Sequence, residues 1–397
     1  MKRFKHIFRA FLAVLLINLT TYATAQEKAE TWIDSVDISL LTCGPGQEVW
    51  SYYGHTALRI EDRTHGNDLA VNWGMFSFKQ DYFIPRFVFG LTDYQIGIFP
   101  MSYFIDEYTR EGRWVRQQRL ALSREEKVKI LSAIDENNKE ENRTYRYNFF
   151  FDNCTTRARN MILGNLSHPC QEISGNETLD TSYRKEIHRW NENHRWARFG
   201  NDLLLGCNAD KPISREEWEF LPVNLMQDFD KTKLVDKAFY VIPPQAETAE
   251  AECITPLMVF LTLGIVVVLV SAWEVWKKKN LWWIDTLLFI LTGIPGLILL
   301  AMVFSQHPTV QVNFQILILN PLNLIFVWQV SKKLKQGKLP RYYGAWGAML
   351  CFAIALMTRQ DYAEGIGFLA LSLLVRHALK TATNSLKIAK EKENIQK

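Results

Sequence analysis

The sequence is poor in the cysteine pairs that mark metal sites. Its six cysteines stand at positions 43, 154, 170, 207, 253 and 351, none in a CxxC or other paired ligand spacing, which argues against zinc. Charge of one sign is lacking too. The 46 Lys and Arg against 42 Asp and Glu leave only +4, and no basic stripe interleaves with aromatics, so nucleic acid is not an expected partner. Internal repeats and low-complexity tracts are missing, which excludes a repeat array. Aromatics, by contrast, are abundant: 13 Trp and 24 Phe in 397 residues. That richness makes sense once the apolar C-terminal segments are counted separately.

The first 25 residues have the layout of a secretory signal peptide. Basic Lys2, Arg3, Lys5 and Arg9 precede an apolar run from Phe11 to Leu19, and Ala23-Thr24-Ala25 supplies small residues for cleavage. An uncleaved anchor is the plainer alternative; either way the chain from about residue 26 is exported. Apolar segments follow at Thr255 to Val275, Leu281 to Phe304, Val310 to Val330, Tyr342 to Met357 and Gly365 to Leu379. The last two are near the lower length limit for crossing a bilayer. Gly293, Pro295 and Gly296 permit a kink in the second, and Asn313, Gln315, Asn320 and Asn323 interrupt the third.

Basic residues fix the orientation. Lys277, Lys278 and Lys279, then Lys332, Lys333, Lys335, Lys338 and Arg341, and finally Lys380, Lys387, Lys390, Lys392 and Lys397 occupy alternate links and the tail. The other links carry only Arg359. Basic links stay in the cytoplasm, which places residues 26 to about 250 outside. The expected organisation is therefore a signal peptide (1–25), an exported domain (26–250), a bundle of about five transmembrane helices (255–380) and a cytoplasmic tail (381–397). The chain is expected in a bacterial inner membrane, with residues 245–252 as linker. Cys170 and Cys207 are candidates for a disulfide in that oxidising compartment, with Cys43 as a competing partner.

Within the exported part, Val36 to Thr42, Thr56 to Ile60, Leu69 to Trp73, Tyr94 to Phe99 and Trp114 to Leu122 read as strands. Glu48 to Tyr53 and Tyr82 to Phe89 read as short helical turns. Ser123 and Glu126 form a capping-box pattern opening a helix. Another helix runs from Cys154 to a stop at Gly164, and Thr181 to Asn193, Trp196 to Leu205 and Arg215 to Phe229 read as helical. The class is α+β.

Two residues carry the chemical signal. His55 follows Gly54 into a short strand. About a hundred residues later the aromatic run Tyr147 to Phe151 breaks into Asp152-Asn153-Cys154-Thr155-Thr156 at a helix start. A cysteine there feels the positive end of the helix dipole, which favours thiolate. An imidazole in reach completes a nucleophile and base. Asn72, on the next strand, suits the role of fixing the imidazole tautomer, with Asp68 and Asn67 as neighbouring alternatives. Each residue also has a plainer reading: a structural thiol, a structural histidine, a turn asparagine. Cys43 is an alternative nucleophile, although Gly44-Pro45-Gly46 suggests a tight turn after it. Arg59 is a candidate for a phosphate head group, or a solvated surface arginine. His307 falls on the exported side between the second and third spans. Asn313 and Asn320 either line a lipid groove or make ordinary interhelical hydrogen bonds.

The order histidine strand, polar residue on the next strand, then cysteine at a helix start resembles circularly permuted papain-like (NlpC-type) enzymes. The segments Leu41 to Gly46, Tyr53 to Arg59, Val71 to Phe76, Asn148 to Arg157, His307-Pro308 and Asn320-Pro321 resemble those of the Bacteroides-type lipoprotein N-acyltransferases, the Lnb family. The resemblance implies a permuted papain-like exported domain followed by transmembrane helices. It further implies Cys154 as nucleophile, His55 as base and Asn72 as orienter; apart from the resemblance, Arg59, Asn153 and His307 are expected as substrate contacts. The implied reaction moves an acyl chain from a membrane phospholipid, through a thioester, to the amine of a diacylated lipoprotein N-terminus, without cofactor. Two alternatives accompany it: a membrane-tethered cysteine peptidase or amidase acting on cell-wall peptides, and a non-enzymatic binding module.

Overall fold

A computed structural model describes residues 32–77, 81–170, 173, 177–245 and 252–396; the expected signal peptide lies outside them. Strands β1 (Val36–Cys43), β2 (His55–Asp62) and β3 (Asn67–Met75) come first, followed by helix α1 (Phe83–Val88), strand β4 (Asp93–Pro100), helix α2 (Met101–Arg110) and strand β5 (Val115–Leu120). Helix α3 (Arg124–Asn138), strand β6 (Thr144–Arg146) and helix α4 (Cys154–Leu163) lead to strand β7 (Thr178–Ser182) and helices α5 (Tyr183–His188) and α6 (Arg195–Leu204). Strand β8 (Pro212–Ser214), helices α7 (Arg215–Trp218) and α8 (Pro222–Phe229) and strand β9 (Val235–Ile242) complete the sheet-bearing part. The rest is helical: α9 (Pro256–Trp276), α10 (Trp282–Val303), α11 (Leu322–Lys335), α12 (Arg341–Leu356) and α13 (Ile366–Gln396).

These elements form two compact units that interleave along the chain. The first takes residues 32–77, 93–170, 173 and 215–245; the second takes 81–92, 177–214 and 252–396.

The first unit is built on a seven-stranded antiparallel sheet of order β6-β4-β3-β2-β1-β5-β9. Alternation along the strands gives it two apolar faces. Ile38, Leu40, Leu58, Val71 and Ile96 pack with Ile130 and Ile134 of α3, Ala158 and Ile162 of α4, and Leu225 and Phe229 of α8. On the other face Leu41, Ala57, Ala70 and Val115 pack with Met101, Phe104 and Tyr108 of α2. β1 is covered on both sides, so seven of its eight residues are buried, polar Ser39 and Thr42 among them. Of the expected helical turns, Glu48 to Tyr53 is a series of turns rather than helix. Arg215 to Phe229 is two helices, because Pro222 starts a new one. Thr181 to Asn193 holds the end of a strand and a six-residue helix.

Among the described residues of the second unit five α-helices follow residue 255, and four segments are long and apolar enough to cross a membrane: Pro256–Trp276, Trp282–Val303, Phe314–Lys335 and Ile366–Ala389. The 16 residues of α12 reach about 24 Å at 1.5 Å per residue, short of the hydrocarbon thickness. α13, by contrast, extends well beyond the expected Leu379. α10 runs unbroken through Pro295. Its Gly293 and Gly296 serve close approach: a Cβ on Gly296 would sit 2.5 Å from the Leu319 carbonyl oxygen. Asn313 and Asn320 of the third segment have a backbone role. The chain there is irregular before Leu322, and Asn313 Oδ1 accepts the Gln315 amide at 3.0 Å, Gln360 Oε1 the Phe314 amide at 2.7 Å and Asn320 Oδ1 the Leu322 amide at 2.9 Å. Non-helical backbone at this depth survives only where such partners exist. Cys207 is a free thiol, so the expected bridge from Cys170 to Cys207 is not formed.

Candidate active site

The site lies where β2 begins and β3 ends. Gly54 turns the chain into β2 with φ +80°, a conformation that favours glycine. A side chain there would also meet the Cys43 carbonyl oxygen at 2.6 Å. The next residue is His55. In the β2–β3 register Ala57 faces Asn72, which makes His55 and Asn72 diagonal neighbours on one face, within reach of long side chains. His55 Nε2–H donates to Asn72 Oδ1 at 3.0 Å. That bond fixes the tautomer and leaves Nδ1 as the free ring nitrogen. β3 then bulges between Asn72 and Met75, and Gly74 at φ +87° lies against the Cys154 Cβ.

Cys154 is the first residue of α4, and its surroundings follow from a dense cap. Asn153 Oδ1 accepts the amides of Thr155 and Thr156 at 2.8 and 2.9 Å, and the Thr156 hydroxyl accepts the Asn153 amide at 2.9 Å. The Cys154 amide, at the same positive helix end, makes no hydrogen bond among the described residues. Buried Thr155, Ala158, Arg159 and Ile162 form the inward stripe of α4, spaced as a helix face requires. Thr155 Oγ1 and Thr56 Oγ1 lie 3.0 Å apart and clasp the helix start to β2.

These contacts bring His55 and the Thr56 amide close enough to act on the Cys154 sulfur, which also lies 3.8 Å from Thr155 Oγ1. Burial alone would push the Cys154 thiol up. The charge of His55, its hydrogen bond and the Thr56 amide outweigh it and bring the thiol down to about 7. Burial likewise opposes the imidazolium, yet the adjacent sulfur and Asn72 raise His55 above its ordinary range. Both side chains keep part of their surface open to solvent. The pair can hold thiolate and imidazolium together near neutrality, which is what a nucleophile with a proton shuttle requires.

Cys43 faces His55 across β1 and β2 but is fully buried. Burial pushes its thiol up to about 12, so it stays protonated and inert. Asp68 grips Arg59 through bonds of 2.7 and 2.8 Å, and Gln117 adds a third at 2.8 Å. Arg59 is four residues beyond His55 on β2, about 13 Å along the strand, and does not join the pair. Asn153 is buried beside it with both polar atoms used. Its Oδ1 caps the helix, and its Nδ2 donates to the carbonyls of Phe149 and Phe220 at 2.7 and 2.9 Å. Its place is under the nucleophile, with no atom left for a substrate. His307 belongs to the second unit, its ring against Gly90, with burial holding its imidazole below the ordinary range.

Three contributors escaped the sequence reading. Thr56 and Thr155 clasp the helix start, and Tyr108 of α2 stacks on His55 with ring centroids 6.5 Å apart. The adjacent Thr155-Thr156 after a cap asparagine was a usable signal. Tyr108 offered none, since its approach depends on how α2 folds over the sheet.

Two family models match the chain: the Lnb N-terminal periplasmic domain over residues 23–181 and the Lnb transmembrane domain over residues 248–387. Comparison with curated proteins and with solved structures finds no match. With its periplasmic domain, its apolar helices and both family models in their expected order, the chain belongs to the Lnb family and is a multi-pass membrane protein.

Proposed function

We propose that the protein is a lipoprotein N-acyltransferase working by two acyl transfers through Cys154, on a periplasmic domain of permuted papain-like arrangement. The order of His55, Asn72 and Cys154 along the chain, on two adjacent strands and then a helix start, supports that fold reading. In the first transfer the Cys154 thiolate attacks the ester carbonyl of a phospholipid. The carbonyl oxygen takes the negative charge in the tetrahedral intermediate, and the Cys154 amide is the available donor to it. As the intermediate collapses, the C–O bond breaks and the imidazolium of His55 returns a proton to the departing lysophospholipid alkoxide. A thioester remains. In the second transfer the amine of a lipoprotein's diacylglyceryl-cysteine attacks that thioester, His55 takes a proton from it, the C–S bond breaks and the thiolate is restored. The product is an amide, and no cofactor enters the balance. A thioester suits an amine acceptor because it remains activated, provided water is kept from it.

The observation that carries this reading is the Cys154–His55–Asn72 chain of contacts in a member of a family with a periplasmic and a transmembrane domain. A tethered wall peptidase would use the same dyad. Cys154→Ala and Cys154→Ser are expected to leave lipoprotein N-termini without their amide-linked chain when these are read by mass spectrometry. Unchanged N-termini would overturn the assignment. Release of wall peptides by the purified protein, with no acyl adduct on Cys154 after exposure to phospholipid, would favour hydrolysis.

A further inference from the structure

Residues 81–92 leave the sheet between β3 and β4 yet pack in the second unit. The Phe89 carbonyl accepts the Gln306 amide at 2.9 Å. A Cβ on Gly90 would fall 3.1 Å from His307 Nε2, and α1 packs against α10. Gln306 and His307 come just after α10 ends at Val303, so α1 is docked on the periplasmic end of a membrane span.

α1 reads Phe-Ile-Pro-Arg-Phe-Val and buries none of its residues. Tyr82 is 81% exposed, Ile84 74% and Phe87 46%. Apolar surface concentrated on so short an element asks for a cover. Its neighbour indicates which. Leu300, Val303 and Phe304 are exposed at the end of α10, and the outward face of a span meets acyl chains. The start of α9 marks the same level. Trp196 of α6 donates its indole N–H to the Ile254 carbonyl at 2.8 Å and is 41% exposed, while Phe199 stacks on Phe260 at 5.2 Å. A tryptophan at the entry of a span is an interfacial residue.

We propose that α1 is an in-plane membrane element, with Tyr82, Ile84 and Phe87 immersed among the acyl chains of the outer leaflet next to the end of α10. Lipid is favoured over a protein partner because this face continues the lipid-facing surface of a span. The inference stands on membrane topology and not on the proposed reaction.

The test uses the full-length protein in native membranes, with the photo-crosslinker p-benzoylphenylalanine placed singly at Ile84, at Val266 in mid-span, or at Val128 on α3. Adducts are identified by mass spectrometry. Phospholipid adducts at Ile84 are expected at a yield comparable to Val266 and about tenfold above Val128, as burial of this face in acyl chains requires. A yield at Ile84 no higher than at Val128, or crosslinks at Ile84 going mainly to another protein, would overturn the proposal. The readout needs no acyl transfer: it is unchanged by Cys154→Ser and is separate from any failure of the proposed reaction.

Discussion

Two cysteines near one histidine behave in opposite ways, and the difference is physical. Cys43 is enclosed by β-sheet and α2, where burial raises its thiol to about 12. Cys154 meets the same penalty but has an imidazole and an amide aimed at its sulfur, and stays at about 7. The sign of the pH dependence follows. The Cys154 thiolate is present above pH 7 and lost below it, so alkylation of the purified protein by iodoacetamide is expected to rise with pH to half its plateau near 7, on Cys154 and not on Cys43. His55→Ala removes the two largest favourable contacts and leaves burial opposed only by the Thr56 amide and the Thr155 hydroxyl. Its midpoint is expected above that of an ordinary thiol, about 8.5. The same midpoint in both proteins would show that the imidazole does not touch the sulfur. The sequence suggested both residues through their settings, a glycine leading into a strand and an aromatic run breaking into a helix. It left Asn72, Asn67 and Asp68 open as orienters. Register separates them in space: Asn72 is diagonal to His55 and bonded to it, whereas Asp68 lies further along β3 and is occupied by Arg59.

At the scale of elements, the start of α4 is held by more than its cap. Asn153 joins three segments, because its amide nitrogen also satisfies carbonyls of the 149 and 220 loops. Asn153→Ala loses the cap, about 1 kcal/mol, and leaves buried carbonyls unpaired, about 1–3 kcal/mol more. Thermal unfolding of the purified protein is expected several degrees lower. Asn153→Asp keeps the cap oxygen and loses the amide donors, so its unfolding temperature is expected between alanine and wild type only if the cap matters separately. An alanine variant as stable as wild type would sink this account. Helix α3 was legible from Ser123 and Glu126, whose reciprocal bonds form as the pattern implied. Strand β9 was not, since its partner β5 lies more than a hundred residues earlier in the chain and pairing over that distance leaves no local mark. Helix α2 was missed for a related reason: it follows β4 directly at Pro100, without a side-chain cap or a turn between them.

Across the membrane unit as a whole, a buried charge cluster joins α9, α10 and α13. Arg376 donates to Asp285 at 2.8 and 2.7 Å and to Ser271 at 3.0 Å, and Lys380 reaches Glu274 at 2.9 Å and Asp285 at 2.5 Å. Two positive and two negative side chains balance, and the buried Tyr343 hydroxyl donates a fourth hydrogen bond to Asp285. Such a pair adds little net stability, but removing one member leaves an uncompensated charge, costing about 3–5 kcal/mol. Asp285→Ala is therefore expected to lower the amount of folded protein recovered from membranes. Asp285→Leu combined with Arg376→Met is expected to restore most of it, as measured by monodispersity in detergent. Equal loss in the single and double variants would contradict the charge argument. The cluster was invisible in sequence because its members are far apart along the chain and each looks like an ordinary residue at a helix end.

The sequence by itself determined the parts that depend on short range and on solvent. Apolar length and basic links located the membrane region and its sidedness, because a bilayer reads composition directly, although among the described residues four segments, not the expected five, are long and apolar enough to cross. Caps and alternation fixed most helices and central strands, because their hydrogen bonds are local. Tertiary structure alone decided which cysteine has an imidazole beside its sulfur, that Arg59 and Asn153 are consumed by protein partners, and that residues 81–92 pack with the membrane helices. Each of those outcomes depends on what lies within a few ångströms in space, and strand register and helix packing set that proximity over separations that no local pattern spans.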